Sequence, residues 1–338
     1  MRVQPNMAKT SLIKTSLTKT SFANTFVLIA VAAMLFGAPR PASAADWPAR
    51  PVTLVMAFAP GTLFDTIGRS LANALSAAIG QPVVTEVKAG AGGVVANAYV
   101  AKMPADGYTL LMTAVGPVVM RPLIDKSVGY ADSDFTPIIL IGESPNVLLA
   151  SPKIGVNTLK DFLAYAKTKD NKISVGHAGP GTVGHLCSVM FSNLAGIDAS
   201  SISYRGVALI VTDLLGGQID AAFPTYSPAT KSAKILAVTS EERVDFLPGV
   251  PTLKESGFNV VGTTWFAIYG PARLPPEILA KINGAMDAFL KNPDNKARFG
   301  EQGFRLLGGP PARLSERVAK DRVTWAPIIA GLHLGTDK

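Results

Sequence analysis

The stretch "APGTLFD" at residues 59–65 comes back in altered form as "GPGTVGH" at residues 179–185. Each copy follows a short apolar run, "VTLVMAF" at 52–58 and "KISVGHA" at 172–178, and each opens a pattern with helical spacing. The chain therefore encodes the same strand, tight loop and helix start twice. Pro fixes φ and Gly permits unusual backbone angles, so "PG" at the end of a strand makes a sharp turn with several N–H groups exposed. The helix that follows aims its positive dipole end at the same point. Alone, either loop is an anion-sized cradle or simply a strand-to-helix turn. Two of them, from opposite halves of the chain, can form a clamp.

Magnitudes limit what such a clamp holds. A helix terminus contributes only about 0.3–1 kcal/mol toward an anion, whereas micromolar capture needs about 8 kcal/mol. The remainder has to come from hydrogen bonds to the charged group and from enclosing the ligand's apolar body. Neither loop contains Lys or Arg. A multiply charged phosphate is therefore a poor match, and a carboxylate held by neutral donors is a good one.

Composition narrows the class. The chain has 338 residues, 48% hydrophobic and 17% charged, enough to bury one large core or two medium ones, with two lobes expected. The first 44 residues read as an export signal: a basic start, the apolar run "FVLIAVAAMLFG" at 26–37, and "ASA" ending at Ala44. That run falls short of the ~20 residues a membrane span needs, so a soluble, exported mature protein is expected. The signal takes with it Arg2, Lys9, Lys14, Lys19 and Arg40, which lowers the formal net charge from +8 to +3. Such a balance, without interleaved basic and aromatic residues, gives no reason to expect a nucleic-acid partner. The single Cys187 lies in an apolar helical stretch and reads as a buried thiol.

Catalytic and cofactor readings find little support. "GPGTVG" at 179–184 matches G-x-G-x-x-G after a strand, but Pro180 interrupts it and an exported protein meets little dinucleotide. The three histidines, His177, His185 and His333, show no metal-ligand spacing, and no G-x-S-x-G elbow occurs. No enzyme, metal or cofactor is expected.

Strand-like runs alternate with helical patterns along the rest of the chain, which predicts an α/β fold. After Asp65, Ile67, Leu71, Ala74, Leu75, Ala78 and Ile79 recur at three- and four-residue steps until Gly80 ends the helix. Thr158 and Asp161 make a capping-box pattern, and residues 275 onward read as three helices.

Taken in order, "WPARPVTLVMAFAPG", "PVVTEVKAGAGG", "ADGYTLLM", "DFTPI", "SYRG", "TDLLGGQID", "LAVTSEER", "LPGVPTLKESGF" and "PPEILAKIN" resemble the periplasmic substrate-binding proteins of tripartite tricarboxylate transporters, the Bug family. The likeness runs from about Trp47 to Trp325. It implies a two-lobed, type II-like Venus-flytrap α/β receptor with a mixed sheet in each lobe. Such a receptor would be monomeric and without catalysis, closing over a carboxylate in the periplasm and delivering it to membrane permease subunits. It implies further that Ala59, Gly61, Thr62, Leu63, Phe64 and Asp65 on one lobe face Gly179, Gly181, Thr182, Val183 and His185 on the other. Ala114 and Gly116, Tyr204, Arg205 and Val207, and Pro224 and Thr225 complete the expected pocket. The implied layout puts residues 46–144 and 241–338 in lobe 1 and 145–240 in lobe 2.

Departures from the family pattern fall in that pocket. Thr62, Leu63 and Phe64 stand where glycines are usual, Val207 and Leu209 where the pattern is smaller, and "FPTY" at 223–226 where a carboxylate often follows. These changes predict a ligand with a sizeable apolar or aromatic body, and they disfavour amino acids, whose ammonium group needs an acidic partner.

Overall fold

The computed structural model describes residues 47–332; the export signal expected over residues 1–44 lies outside them. Two mixed sheets organise the fold. In the first, β1 (Val52–Met56) lies parallel between β2 (Val83–Val87) and β3 (Thr109–Ala114), while β10 (Thr263–Pro271) runs antiparallel between β3 and the long β4 (Phe135–Pro145). The two-residue β11 (Arg305–Leu306) closes the β4 edge. In the second, β6 (Lys172–His177) pairs parallel with β7 (Asp198–Ser203) and β8 (Ala221–Ala222), and β5 (Val147–Ala150) runs antiparallel between β8 and β9 (Lys234–Val238). This is the expected α/β architecture of two lobes, each with a mixed sheet.

The chain passes between the sheets at Asn146, between β4 and β5, and again between β9 and β10. Asn146 and Thr239 join the two passages: the Asn146 N–H donates to Thr239 Oγ1 at 3.0 Å, and Thr239 Oγ1 donates to the Gly262 carbonyl at 2.6 Å.

Helices cover the sheets where the apolar period predicts. Helix α1 (Leu63–Ile79) buries Ile67, Leu71, Leu75 and Ile79, one residue per turn, and ends at Gly80, whose φ of 72° suits glycine. Then follow α2 (Val94–Val100), a π-helix at Gly116–Met120, and α3 (Arg121–Ile124). The second sheet carries α4 (Leu159–Thr168), α5 (Val183–Ala195) and α6 (Val207–Gly216). The C-terminal helices α7 (Pro276–Lys291), α8 (Pro293–Gly300) and α9 (Pro311–Gly331) occupy the three stretches that read as helical, each with Pro at its first turn. Thr158 and Asp161 form the expected capping box. No helix among the described residues is long and apolar enough to cross a membrane.

Candidate ligand-binding cleft

The two PG loops fold alike, down to their hydrogen bonds. Thr62 caps α1: its Oγ1 accepts from the Asp65 N–H at 3.3 Å and donates to the Ala59 carbonyl at 3.3 Å. Thr182 caps α5 the same way, accepting from His185 N–H at 3.3 Å and donating to the Gly179 carbonyl at 2.8 Å. The third helical residue reaches back in both copies. Asp65 Oδ2 accepts the Gly61 N–H at 3.2 Å, and His185 Nδ1 accepts the Gly181 N–H at 3.2 Å. Each loop is thus tied from both ends. The first two helical N–H groups, on Leu63 and Phe64 and on Val183 and Gly184, precede the residues that intrahelical carbonyls can serve, so they point outward as donors.

Both helix starts face one cleft of about 320 Å³, within the usual range for a small-molecule site. Of the expected residues, Ala59, Gly61, Thr62, Leu63 and Phe64 line it from the first lobe, with Ala114 and Gly116 beside them. Thr182, Val183, Arg205, Val207 and Thr225 line it from the second.

Six expected residues do not line the cleft, for identifiable reasons. Asp65 and His185 turn back into their own loops, and Asp65 is further held by Arg69 Nε at 2.9 Å. Gly179 and Gly181 pack against the opposite lobe: a Cβ on Gly181 would stand 2.4 Å from Arg121 Cδ, and one on Gly179 would stand 3.5 Å from Gly92 Cα. Tyr204 turns to Asp213, its Oη donating at 2.8 Å. Pro224 alternates with Phe223 and Thr225, both of which line the cleft, so it faces the other way. Leu209, expected to add apolar surface, is half exposed and outside the lining. Val207 and Leu209 are two residues apart on a helix and so lie on opposite faces.

Sequence reading missed Asn146 and Thr264 in the floor and part of one wall. Asn146, Thr225 and Thr264 form a neutral network across the hinge: Asn146 Nδ2 donates to Thr264 Oγ1 at 3.1 Å, and Thr225 Oγ1 donates to Asn146 Oδ1 at 3.1 Å. Single polar residues inside apolar runs were the signal for Asn146 and Thr264. One wall is aromatic, with Phe58 edge-on to Phe64 at 4.9 Å and Phe64 edge-on to Phe266 at 4.9 Å. Tyr226 joins the lining, its ring tilted at 38° against Phe246 at 4.8 Å, and its buried Oη has no protein partner.

Electrostatically the cleft is simple. None of the described residues lining it is acidic, and Arg205 is the one cation among them. Behind the GPG loop, His177 Nδ1 accepts the Gly179 N–H at 3.2 Å, Nε2 meets Ser201 Oγ at 2.8 Å, and the ring lies 4.4 Å from that of His185. Burial, with His185 beside it, pushes His177 down to about 4, so it braces the loop as a neutral acceptor. Burial alone pushes the Cys187 thiol up to about 12, in keeping with a packed rather than reactive sulfur.

Comparison with known proteins gives a consistent picture. Residues 67–334 match the family described as "Tripartite tricarboxylate transporter family receptor". Among solved structures, a Rhodopseudomonas palustris protein, Rpa4515 with adipate, is 31% identical at a TM-score of 0.80, covering 85% of this chain and 99% of its own. The periplasmic binding protein BugD is 31% identical at a TM-score of 0.77, covering 84% and 98%. MatC from Rhodopseudomonas palustris with bound malate is 27% identical at a TM-score of 0.78, covering 84% and 100%. The fold is that of the periplasmic binding proteins.

Proposed function

We propose, because this chain belongs to the tripartite tricarboxylate transporter receptor family, that it is a periplasmic solute receptor for a small organic carboxylate with an apolar or aromatic body. One observation carries the reading. Two capped helix starts from different sheets meet on a single cleft whose described lining has no acid and one arginine.

A carboxylate in that cleft takes the outward N–H groups of Leu63, Phe64, Val183 and Gly184. These are hydrogen bonds to a charged acceptor, worth roughly 1.5–3 kcal/mol each, and both helix dipoles favour the same charge. Thr62 and Thr182 act by holding those amides in place, since their own hydroxyl hydrogens already go to loop carbonyls. The body of the acid rests on the Phe58, Phe64 and Phe266 wall. Arg205 stands ready for a second acidic group, as in a diacid, while an α-ammonium group would lose water with no carboxylate to meet it. Adipate, the ligand of a relative of the same fold, has this character.

The remaining parts of the reading follow from the family. Residues 46–144 with 241–338 form one lobe and 145–240 the other, the hinge lying at Asn146 and Thr239. The receptor performs no catalysis, acts as a monomer, is exported by cleavage near Ala44, and passes its ligand to membrane permease subunits. Thermal-shift screening of the mature protein against mono-, di- and tricarboxylates tests the central point. Stabilisation by apolar-bodied acids and no effect from glutamate or aspartate is expected; no stabilisation by any carboxylate would overturn it.

A further inference from the structure

The floor of the cleft is a ring of neutral groups whose hydrogens can be counted. Asn146 Nδ2 donates to Thr264 Oγ1 at 3.1 Å, so that bond uses a lone pair of Thr264 and leaves the Thr264 hydrogen to turn elsewhere. Thr225 gives its one hydrogen to Asn146 Oδ1 at 3.1 Å. The two threonine oxygens lie 3.1 Å apart. With the Thr225 hydrogen already placed, the Thr264 hydrogen closes the ring onto Thr225. Each threonine oxygen then keeps one unused lone pair and has no hydrogen left to give.

Exposure decides which of these atoms a ligand meets. All three residues line the cleft, but Asn146 is 1% exposed and Thr264 9%, whereas Thr225 is only half-buried. The polar face of the floor is therefore made by threonine oxygens, Thr225 foremost, and it accepts hydrogens rather than donating them. Thr62, Thr66 and Thr182, also in the lining, likewise spend their hydroxyl hydrogens on the carbonyls of Ala59, Thr62 and Gly179. The outward amides and Arg205 suit the acid groups of a ligand. The floor suits a hydrogen-bond donor on its body.

We propose that the floor selects an aromatic acid carrying a phenolic hydroxyl, with Thr225 as the specificity-determining residue; this rests on the reading of the cleft as a carboxylate site. The wall of Phe58, Phe64 and Phe266 takes the ring, and a phenol brings one donor without bringing charge. An ammonium group fits the same lone pairs poorly, because it needs three acceptors and a counter-charge, and the described lining has no acid. A ring without the hydroxyl covers the floor and leaves its lone pairs dry, which forfeits the bonds they make with water.

Titration calorimetry on the mature protein at pH 7, where a phenol keeps its hydrogen, compares benzoate with 3- and 4-hydroxybenzoate and with the methyl ethers of both. One hydroxybenzoate is expected to bind roughly tenfold tighter than benzoate. Its methyl ether, which keeps the oxygen and loses the hydrogen, should gain nothing. In Thr225→Val the ratio of hydroxybenzoate to benzoate affinity should fall to about one, and in Thr225→Ser it should return. An equal gain from the ether, or a preference that survives Thr225→Val, would overturn the proposal. Benzoate binding with no preference for either hydroxybenzoate would overturn this inference alone; binding of no carboxylate at all would remove the reading of the cleft with it.

Discussion

Thr182 and Thr62 control the cleft through the backbone. Each hydroxyl accepts one amide of its helix and donates to its own loop, so removing it frees the loop rather than deleting a ligand contact. Thr182→Val should lower stability by about 1 kcal/mol, the usual worth of a cap, and weaken carboxylate binding, while Thr182→Ser restores both; paired denaturation and calorimetry check this. Arg205 behaves differently, being exposed and among the lining. Arg205→Gln should weaken diacids about tenfold or more and leave monoacids nearly unchanged, consistent with loss of a charge-assisted bond. His177 sets a pH limit. Its folded value, about 4, lies below that of a free histidine, so the unfolded chain binds protons more readily. Stability is then full above about pH 6.5 and falls toward pH 4, by on the order of 3 kcal/mol. Melting temperature followed from pH 7 to 4.5 should show this slope in the native protein and a flatter one in His177→Gln.

At the level of elements, the two strand–loop–helix units were legible because every part has a local cause. Apolar runs give strands, "PG" gives the turn and the 3.6-residue period gives α1, while the caps made by Thr62 and Thr182 came only with the structure. Side-chain direction was less legible. Val207 and Leu209 read alike in composition, yet helix geometry sends them to opposite faces, and Asp65 and His185 look like ligand groups until their reciprocal bonds to the loop are seen. Strand β7, "DASSIS", carries no apolar pattern because it is a solvent-facing edge that β6 supports. The hinge network of Asn146, Thr225 and Thr264 joins residues far apart in the chain, and no local signal ties them together. Close approach between the lobes is set by glycines. A Cβ on Gly92 would come within 2.9 Å of the Pro180 carbonyl oxygen, and one on Gly116 within 3.2 Å of the Gly181 oxygen. Gly92→Val should therefore hold the lobes apart, weakening carboxylate binding and abolishing ligand-dependent compaction in small-angle scattering, and should lower the melting temperature as well, because Gly92 sits at a φ of 64° that strains a β-branched residue.

For the whole molecule, two sheets joined at two crossings make a cleft whose character is set by what lines it: neutral donors from both lobes, an aromatic wall, and one arginine. Enclosing an aromatic ring against that wall buries on the order of 100 Å² of apolar surface, worth about 2.5 kcal/mol and close to a hundredfold in affinity. Amino acids gain the same carboxylate contacts but lose the hydration of their ammonium group. Titration calorimetry on the mature protein, with adipate and benzoate set against glutamate and aspartate, tests this most directly. The account predicts binding of the apolar-bodied acids at least a hundredfold tighter than of either amino acid; equal or tighter binding of glutamate or aspartate would contradict it.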